Sequence, residues 1–304
     1  MSLRKKYVLV LSGPTAAGKT SMAIELAQAF STEIVSADSR QIFREMAIGT
    51  AVPSEKELKQ IPHHFIHCCS IRDTFDVALY ETEVLHLLEE LFQKHDIVVL
   101  TGGTGLYIDA VCRGLDVIPH VKPEIREQVS NFYKQFGLKA LQTAVAENDP
   151  DYFRIVDQQN PRRLQRALEV FEQTGLPLSF YHKKAPKKRD FEVIWTAIDI
   201  DKNVLHSRIN QRVEKMMAEG LLEEAKKLVA MRELNALNTV GYKELFAYFD
   251  GKISLDEAVE QIKTNTRKYA KRQLTWLRKN KDYHWFKTDE LPQLIEQVKA
   301  ILKN

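Results

Sequence analysis

The sequence predicts an α/β protein, a parallel-sheet core interrupted by an all-helical insertion. Three observations point there. Short segments with strand character stand at 7–11, 33–37 and 95–100. Helical spacing fills the gaps between them, the rhythm of an open parallel sheet with crossover helices. Strand character then vanishes from about 116 to 188 and returns at 191–198.

Each element has its own reason. Residues 7–11 (Tyr-Val-Leu-Val-Leu) are continuously apolar and stop at Ser12-Gly13-Pro14, the mark of a strand buried on both faces. In 21–30, Met22, Ala23, Leu26, Ala27 and Phe30 recur at helical spacing. The strand at 95–100 runs into Gly102, Gly103 and Gly105. After Gly114 come Pro119 and Pro123, then helical patterns at 124–136, 138–147 and 161–173. Gly137 and Gly175-Leu176-Pro177 act as stops. Beyond the strand at 191–198, helical patterns lie near 202–219, 221–234 and 254–279. The expected organisation is a core of 1–115 and 189–304 around an insertion of 116–188. Ligands of such sheets sit beyond the carboxyl ends of the strands, where the loops 12–20, 38–41 and 101–105 fall.

Composition sets the outer bounds. In 304 residues, 44% are hydrophobic and 28% charged, which excludes wholesale disorder, collagen and a disulfide scaffold. Cys68, Cys69 and Cys112 are odd in number and match no zinc spacing, which suits a reducing compartment. No apolar run approaches the ~18 residues of a membrane helix. The basic start Arg4, Lys5, Lys6 precedes an apolar run too short for a signal peptide. A cytoplasmic protein with no membrane contact, acting as a monomer, is expected.

Gly13-Pro14-Thr15-Ala16-Ala17-Gly18-Lys19-Thr20 fits G-x-x-x-x-G-K-[ST], after a strand and opening a helix. The fold expected is therefore a P-loop NTPase-like parallel sheet. Glycines let backbone N–H groups turn toward an anion, and the helix N-terminus adds its dipole. Lys19 supplies a point charge on phosphoryl oxygens, and Thr20 a hydroxyl ligand for Mg²⁺. The motif specifies a di- or triphosphate with Mg²⁺ and does not specify ATP hydrolysis. The strand at 95–100 ends in Thr101-Gly102-Gly103-Thr104-Gly105, and the next carboxylate, Asp109, comes only after that turn. The second Mg²⁺ carboxylate of an ordinary ATPase is thus missing from that strand.

Asp38 directly follows the strand at 33–37. Two readings stand side by side. It is a general base beside the phosphate loop, with the Thr104 hydroxyl nearby, or it is the N-cap of a helix that starts before Gln41-Ile42-Phe43.

Seven ordered blocks extend the pattern. They are 13–20, Ser36-Ala-Asp-Ser-Arg-Gln41, Pro62-His-His64, Gly102-Gly-Thr-Gly-Leu-Tyr107, Asn160-Pro-Arg-Arg-Leu-Gln-Arg-Ala-Leu-Glu-Val170, Val240-Gly-Tyr-Lys-Glu244 and Thr266-Arg-Lys-Tyr-Ala-Lys-Arg-Gln-Leu-Thr-Trp276. Together they resemble the tRNA dimethylallyltransferase (tRNA isopentenyltransferase) family of bacterial type, over most of the chain. The resemblance implies transfer of a dimethylallyl group from dimethylallyl diphosphate to the exocyclic N6 amine of the adenosine adjoining the anticodon in tRNA, with release of diphosphate. It implies Asp38 as the base and Thr104 at the reacting centre. Lys19, Thr20, the loop amides and Mg²⁺ would hold the diphosphate, with Arg212 adding charge. Asp38, Ser39, Arg40, Gln41, Thr104, Arg126, Arg162, Arg163, Leu164, Gln165 and Arg166 would touch the tRNA anticodon stem-loop, which the insertion would grip. The chemistry agrees: an adenine amine is a weak nucleophile, so positioning and leaving-group stabilisation should dominate. The base must also leave its stack to enter a pocket.

The charge map adds to this. The total is only +3, yet 263–281 carries +8 and 154–189 carries +6, leaving −11 on the remainder. Lys263, Arg267 and Lys271 recur every four residues, a face able to meet backbone phosphates or simply solvent. The basic stretch 183–189 resembles a nuclear signal in composition and reads better as an exposed junction. Trp195 and Trp276 sit in apolar patterns and read as core. His63, His64, His67, Cys68 and Cys69 are crowded, but their spacing cannot easily wrap one ion. The family usually has an apolar pair and Asp after Pro-His-His, where this chain has Phe65-Ile66-His67. Two other functions fit fewer of the blocks: an isopentenyltransferase or kinase acting on free adenine nucleotides, and an RNA-binding P-loop protein without chemistry.

Overall fold

The computed structural model describes residues 5–182 and 186–303. The chain separates into two compact units, one running to Arg113 and resuming at Lys188, the other Gly114–Lys187. The basic stretch 183–189 lies in part outside the described residues.

Six strands of the first unit form one parallel sheet: β1 (Tyr7–Ser12), β2 (Ile34–Ser36), β3 (His63–His64), β4 (Ile97–Gly102), β5 (Glu192–Ile198) and β6 (His284–Phe286). Their order is β3-β2-β4-β1-β5-β6, with every pairing parallel. β1 lies in the middle and is buried along its whole length, as its unbroken apolar sequence requires. The chain leaves β1 toward β2 on one side, and β5 adds on the other. The crevice above the carboxyl ends of β1 and β4 is therefore a topological switch point. One core lies on each face: Leu9, Leu11 and Leu26 on one, Val8, Val10 and Tyr80 on the other.

The edge strands escape a sequence reading. β3 has two residues and β6 three, each containing histidine, so neither carries a recognisable apolar run.

The ends of β2 and β4 approach very closely. A Cβ on Gly102 would lie 2.2 Å from the Ala37 carbonyl oxygen. Only glycine permits this contact, and the Thr104 N–H then donates to the same carbonyl at 3.1 Å. Tyr80 supports the junction from below, donating its hydroxyl to the Ser36 carbonyl at 2.9 Å and stacking on Tyr107 at 4.1 Å. Gly102→Ala is expected to destabilise the protein by about 1–3 kcal/mol, since backbone must move to admit the methyl group. A lower urea midpoint at unchanged slope is the expected reading.

The second unit is helical. Its helices are Pro123–Asn148, Pro150–Ile155, Pro161–Thr174 and Leu178–Tyr181. The first breaks at Gly137 (φ 74°, ψ −173°), the stop expected between 124–136 and 138–147. Leu141, Val145, Leu164 and Val170 are at the centre of this unit's own core.

Candidate active site

The phosphate loop leaves β1 and enters the helix Lys19–Ala29 through Gly18 in the left-handed region (φ 97°). Thr15, Ala16, Gly18, Lys19 and Thr20 line a cavity of about 590 Å³. Gly13 borders a neighbouring cavity, and the Ala17 N–H is turned onto the Pro14 carbonyl at 3.2 Å. The Ala17 amide thus closes the loop's own turn. Lys19 Nζ donates to the Gly13 and Pro14 carbonyls at 3.0 and 2.8 Å. Burial, and after it the neighbouring Arg212 charge, lower its pKa to about 8 against the opposing effect of Asp38.

Asp38 sits where β2 ends. Its Oδ1 accepts from the N–H groups of Arg40 (2.9 Å) and Gln41 (3.3 Å). Its Oδ2 takes no hydrogen bond among the described residues. The turn it caps is not the start of a helix, because 41–43 is irregular. The helix-capping expectation is thus corrected: Oδ1 closes a turn, and Asp38 lines the cavity. Thr104 Oγ1 accepts from the Ser39 N–H at 3.0 Å and faces the Ser39 hydroxyl at 3.3 Å. Thr104 borders the adjoining cavity of about 230 Å³, which shares Gly103, Tyr269 and Gln273 with the main one, and its hydroxyl is engaged with Ser39.

Arg212 enters the main cavity from the helix Lys202–Ala218. Its Nη2 donates to the Thr50 carbonyl at 3.3 Å. Burial lowers its pKa and the Asp38 charge offsets this, so it remains a cation. Gln41 Nε2 donates to the Thr50 and Ala51 carbonyls at 3.2 and 3.0 Å, so that nitrogen is committed to the loop. Arg40 reaches the Asn235 carbonyl at 3.0 Å.

Two residues of the site were not anticipated. Gln273 accepts from the Thr15 N–H at 2.8 Å and donates to the Gly103 carbonyl at 2.9 Å, tying the phosphate loop to the loop after β4. Tyr269 borders the main cavity, and burial pushes its phenol up to about 12, leaving a hydroxyl donor at neutral pH. Both lie on the helix Leu255–Lys279, and with Trp276 they share one face at the i, i+4, i+7 spacing. That spacing was the available signal. Trp276 packs against Gly105, where a Cβ would lie 2.4 Å from its ring.

The basic face read from 263, 267 and 271 is corrected. Lys263 Nζ is held by Glu214 at 3.1 Å and Glu260 at 2.8 Å. Arg267 is bound to Asn210 and Thr264. The exposed cations of this helix are Lys268, Lys271, Arg272, Arg278 and Lys279.

In the helical unit, Arg126, Arg162 and Arg163 are exposed, and Gln165 and Arg166 half-buried. Arg166 has Glu169 at 3.7 Å. Leu164 is corrected: it is fully buried in the unit's core, so its side chain cannot touch RNA.

The histidine and cysteine cluster spreads among separate partners. His64 bonds Glu33 at 2.7 Å, His63 meets the Ile61 carbonyl at 2.7 Å, and the Cys68 and Cys69 sulfurs lie 3.7 Å apart. Among the described residues no group of three or more His, Cys, Asp or Glu is arranged to hold a metal. Thr20 offers a hard oxygen at the cavity wall beside Lys19. That donor fits a Mg²⁺ shared with phosphate oxygens and water, the usual form of such sites, and does not fit a protein cage. No helix among the described residues is long and apolar enough to cross a membrane.

The chain is similar to known proteins along most of its length. A family model described as IPP transferase matches residues 41–280. A tRNA dimethylallyltransferase of Christiangramia forsetii is 48% identical over 284 residues, covering 93% of this chain and 94% of the relative. A solved full-length tRNA isopentenylpyrophosphate transferase from Bacillus halodurans matches with a TM-score of 0.73 and 32% identity, covering 98% of this chain and 97% of that one. A eukaryotic dimethylallyltransferase, solved acting on tRNA, matches with a TM-score of 0.73 and 26% identity, covering 90% of this chain and 70% of that one.

Proposed function

The chain belongs to the tRNA dimethylallyltransferase (IPP transferase) family, and from that premise we propose that it carries a dimethylallyl group from dimethylallyl diphosphate to the N6 amine of the adenosine beside the anticodon in tRNA. One observation carries the assignment of roles. Asp38, Lys19, Thr20 and Arg212, brought from three separate elements, line a single cavity at the switch point of the sheet.

The adenine N6 forms a bond to the first allylic carbon as that carbon's bond to the diphosphate oxygen breaks. The N6 proton passes to Asp38 Oδ2, and the electron pair leaves with diphosphate. Lys19 and Arg212 meet the charge that grows on the leaving group, where fixed donors in a site shielded from water have their largest effect. Thr20 would hold a Mg²⁺, which would supply further neutralisation of the diphosphate. Thr104 fixes Ser39, and through it the turn that carries Asp38. Gln273 holds the phosphate loop at its distance from the loop after β4.

The reading is tested by incubating the protein with labelled dimethylallyl diphosphate and either an unmodified anticodon stem-loop or AMP. Label on the stem-loop is expected. Label on AMP alone would overturn the tRNA assignment in favour of a free-nucleotide enzyme.

For RNA contact we propose Arg126, Arg162, Arg163, Gln165 and Arg166 of the helical unit, with Ser39 and Arg40 beside the reacting base. Substituting Arg162 and Arg163 by alanine is expected to weaken stem-loop binding and to lower the slope of log K against log salt by about 1 for each phosphate that is no longer neutralised. Donor affinity should stay unchanged. Equal losses for donor and RNA would place these arginines elsewhere in the mechanism.

A further inference from the structure

The segment 46–51 has no repetitive structure, yet a single carboxylate organises it. Glu224, on the helix Leu221–Leu228, reaches into this turn. Its Oε2 accepts from the Ala47 and Ile48 N–H groups at 3.0 and 2.9 Å. Its Oε1 accepts from the Gly49 N–H at 2.9 Å and from the Tyr242 hydroxyl at 2.6 Å. Four donors saturate the two oxygens of an ionised carboxylate. Tyr242 is fully buried, and a Cβ on Gly49 would lie 2.5 Å from its hydroxyl. Burial and the adjacent carboxylate push the Tyr242 phenol far up, so it acts only as a donor. The turn is thus clamped between a phenol and a carboxylate.

The next residue delivers the consequence. The Thr50 carbonyl receives Arg212 Nη2 at 3.3 Å and Gln41 Nε2 at 3.2 Å. Among the described residues this is the only hydrogen bond of Arg212, which also has no ion pair. The direction of its guanidinium therefore depends on where the Thr50 carbonyl points, and its other N–H groups remain available to an anion in the cavity. A rigid carbonyl orients the fork at little entropic cost when an anion arrives.

We propose that Glu224 and Tyr242 are positioning residues for the leaving-group cation: through the 47–50 turn and the Thr50 carbonyl, they aim Arg212 at the diphosphate. The proposal rests on the role of Arg212 given above. It also gives a task to Tyr242 in the Val240-Gly-Tyr-Lys-Glu244 block, which the chemistry had left without one.

The variants are Tyr242→Phe, which removes one donor to the clamp, and Glu224→Gln, which strands the Gly49 N–H without an acceptor. Each is crossed with Arg212→Ala. The readouts are KM for dimethylallyl diphosphate, the inhibition constant of inorganic diphosphate, kcat, and stem-loop affinity, with a melting curve for each protein. Glu224→Gln is expected to raise the donor KM and the diphosphate inhibition constant by about tenfold, the size typical of one lost buried hydrogen bond. Tyr242→Phe should do so by less. Stem-loop affinity should be unmoved, and either change should add nothing on an Arg212→Ala background.

Full additivity with Arg212→Ala, or equal losses for donor and RNA, would overturn the proposal and leave a purely structural clamp. If Arg212→Ala weakens diphosphate while Glu224→Gln and Tyr242→Phe do not, the proposal fails and the role of Arg212 stands. If Arg212→Ala leaves diphosphate binding unchanged, the role of Arg212 fails and the proposal falls with it.

Discussion

Replacing Asp38 by asparagine is expected to slow prenyl transfer by about 10²–10⁴-fold, the range lost with a general base. Asparagine is the informative change because the side chain does two things. Oδ1 accepts the Arg40 and Gln41 N–H groups that shape the turn, and an amide carbonyl can still do this. Only the oxygen free of hydrogen bonds loses its basicity. Donor binding should hold or tighten, because Asp38 is a negative charge on the same cavity wall as Lys19, Thr20 and Arg212. Asp38→Ala removes the cap as well and should show a second loss, in stability, that asparagine does not share. A single-turnover assay with labelled donor and excess enzyme separates chemistry from product release. Undiminished transfer by the asparagine variant would remove Asp38 from the role of base.

What could be read in the sequence follows the range of the interactions involved. The phosphate loop is legible because its chemistry is local: glycine, lysine and threonine act within one turn of the strand that carries them. β1 is legible because a central strand must be apolar on both faces, whereas β3 and β6 are too short to carry any pattern. Asp38 was legible as a carboxylate at a strand end, but not the turn that its Oδ1 closes through the Arg40 and Gln41 N–H groups. Charge counting misled at Lys263, which is neutralised by Glu260, three residues before the counted segment, and by Glu214 on another helix. Leu164 was carried along with its arginine neighbours, although Ala167 and Leu168 beside it at helical spacing marked an inward face. Gln273 shows the limit most plainly. A lone amide in a basic helix has no chemical signature until the fold brings Thr15 and Gly103 to it.

Lys19→Ala should cost about 10²–10³-fold in kcat/KM for the donor, comparable to losing one preorganised donor to a developing anion. The pH dependence makes the sharper test. The pKa of Lys19 is lowered to about 8, so the side chain is cationic below that pH and neutral above it. The cation is the form that binds diphosphate. The value of kcat/KM for the donor should therefore be level from neutral pH to about 8 and fall tenfold per unit above it. Bound diphosphate favours the cation and raises the pKa by linkage, so kcat at saturating donor should fall only at higher pH. Lys19→Arg keeps the charge at every accessible pH and should abolish the limb near pH 8 whatever it does to the rate. The neighbours give two opposed shifts. Arg212 lowers the Lys19 pKa, so Arg212→Ala should move the limb to higher pH even as it weakens binding. Asp38 raises it, so Asp38→Asn should move the limb to lower pH. Movement in both directions from these two substitutions would require that the titrating group feel both charges, as Lys19 does. A limb that ignores both would belong to some other group.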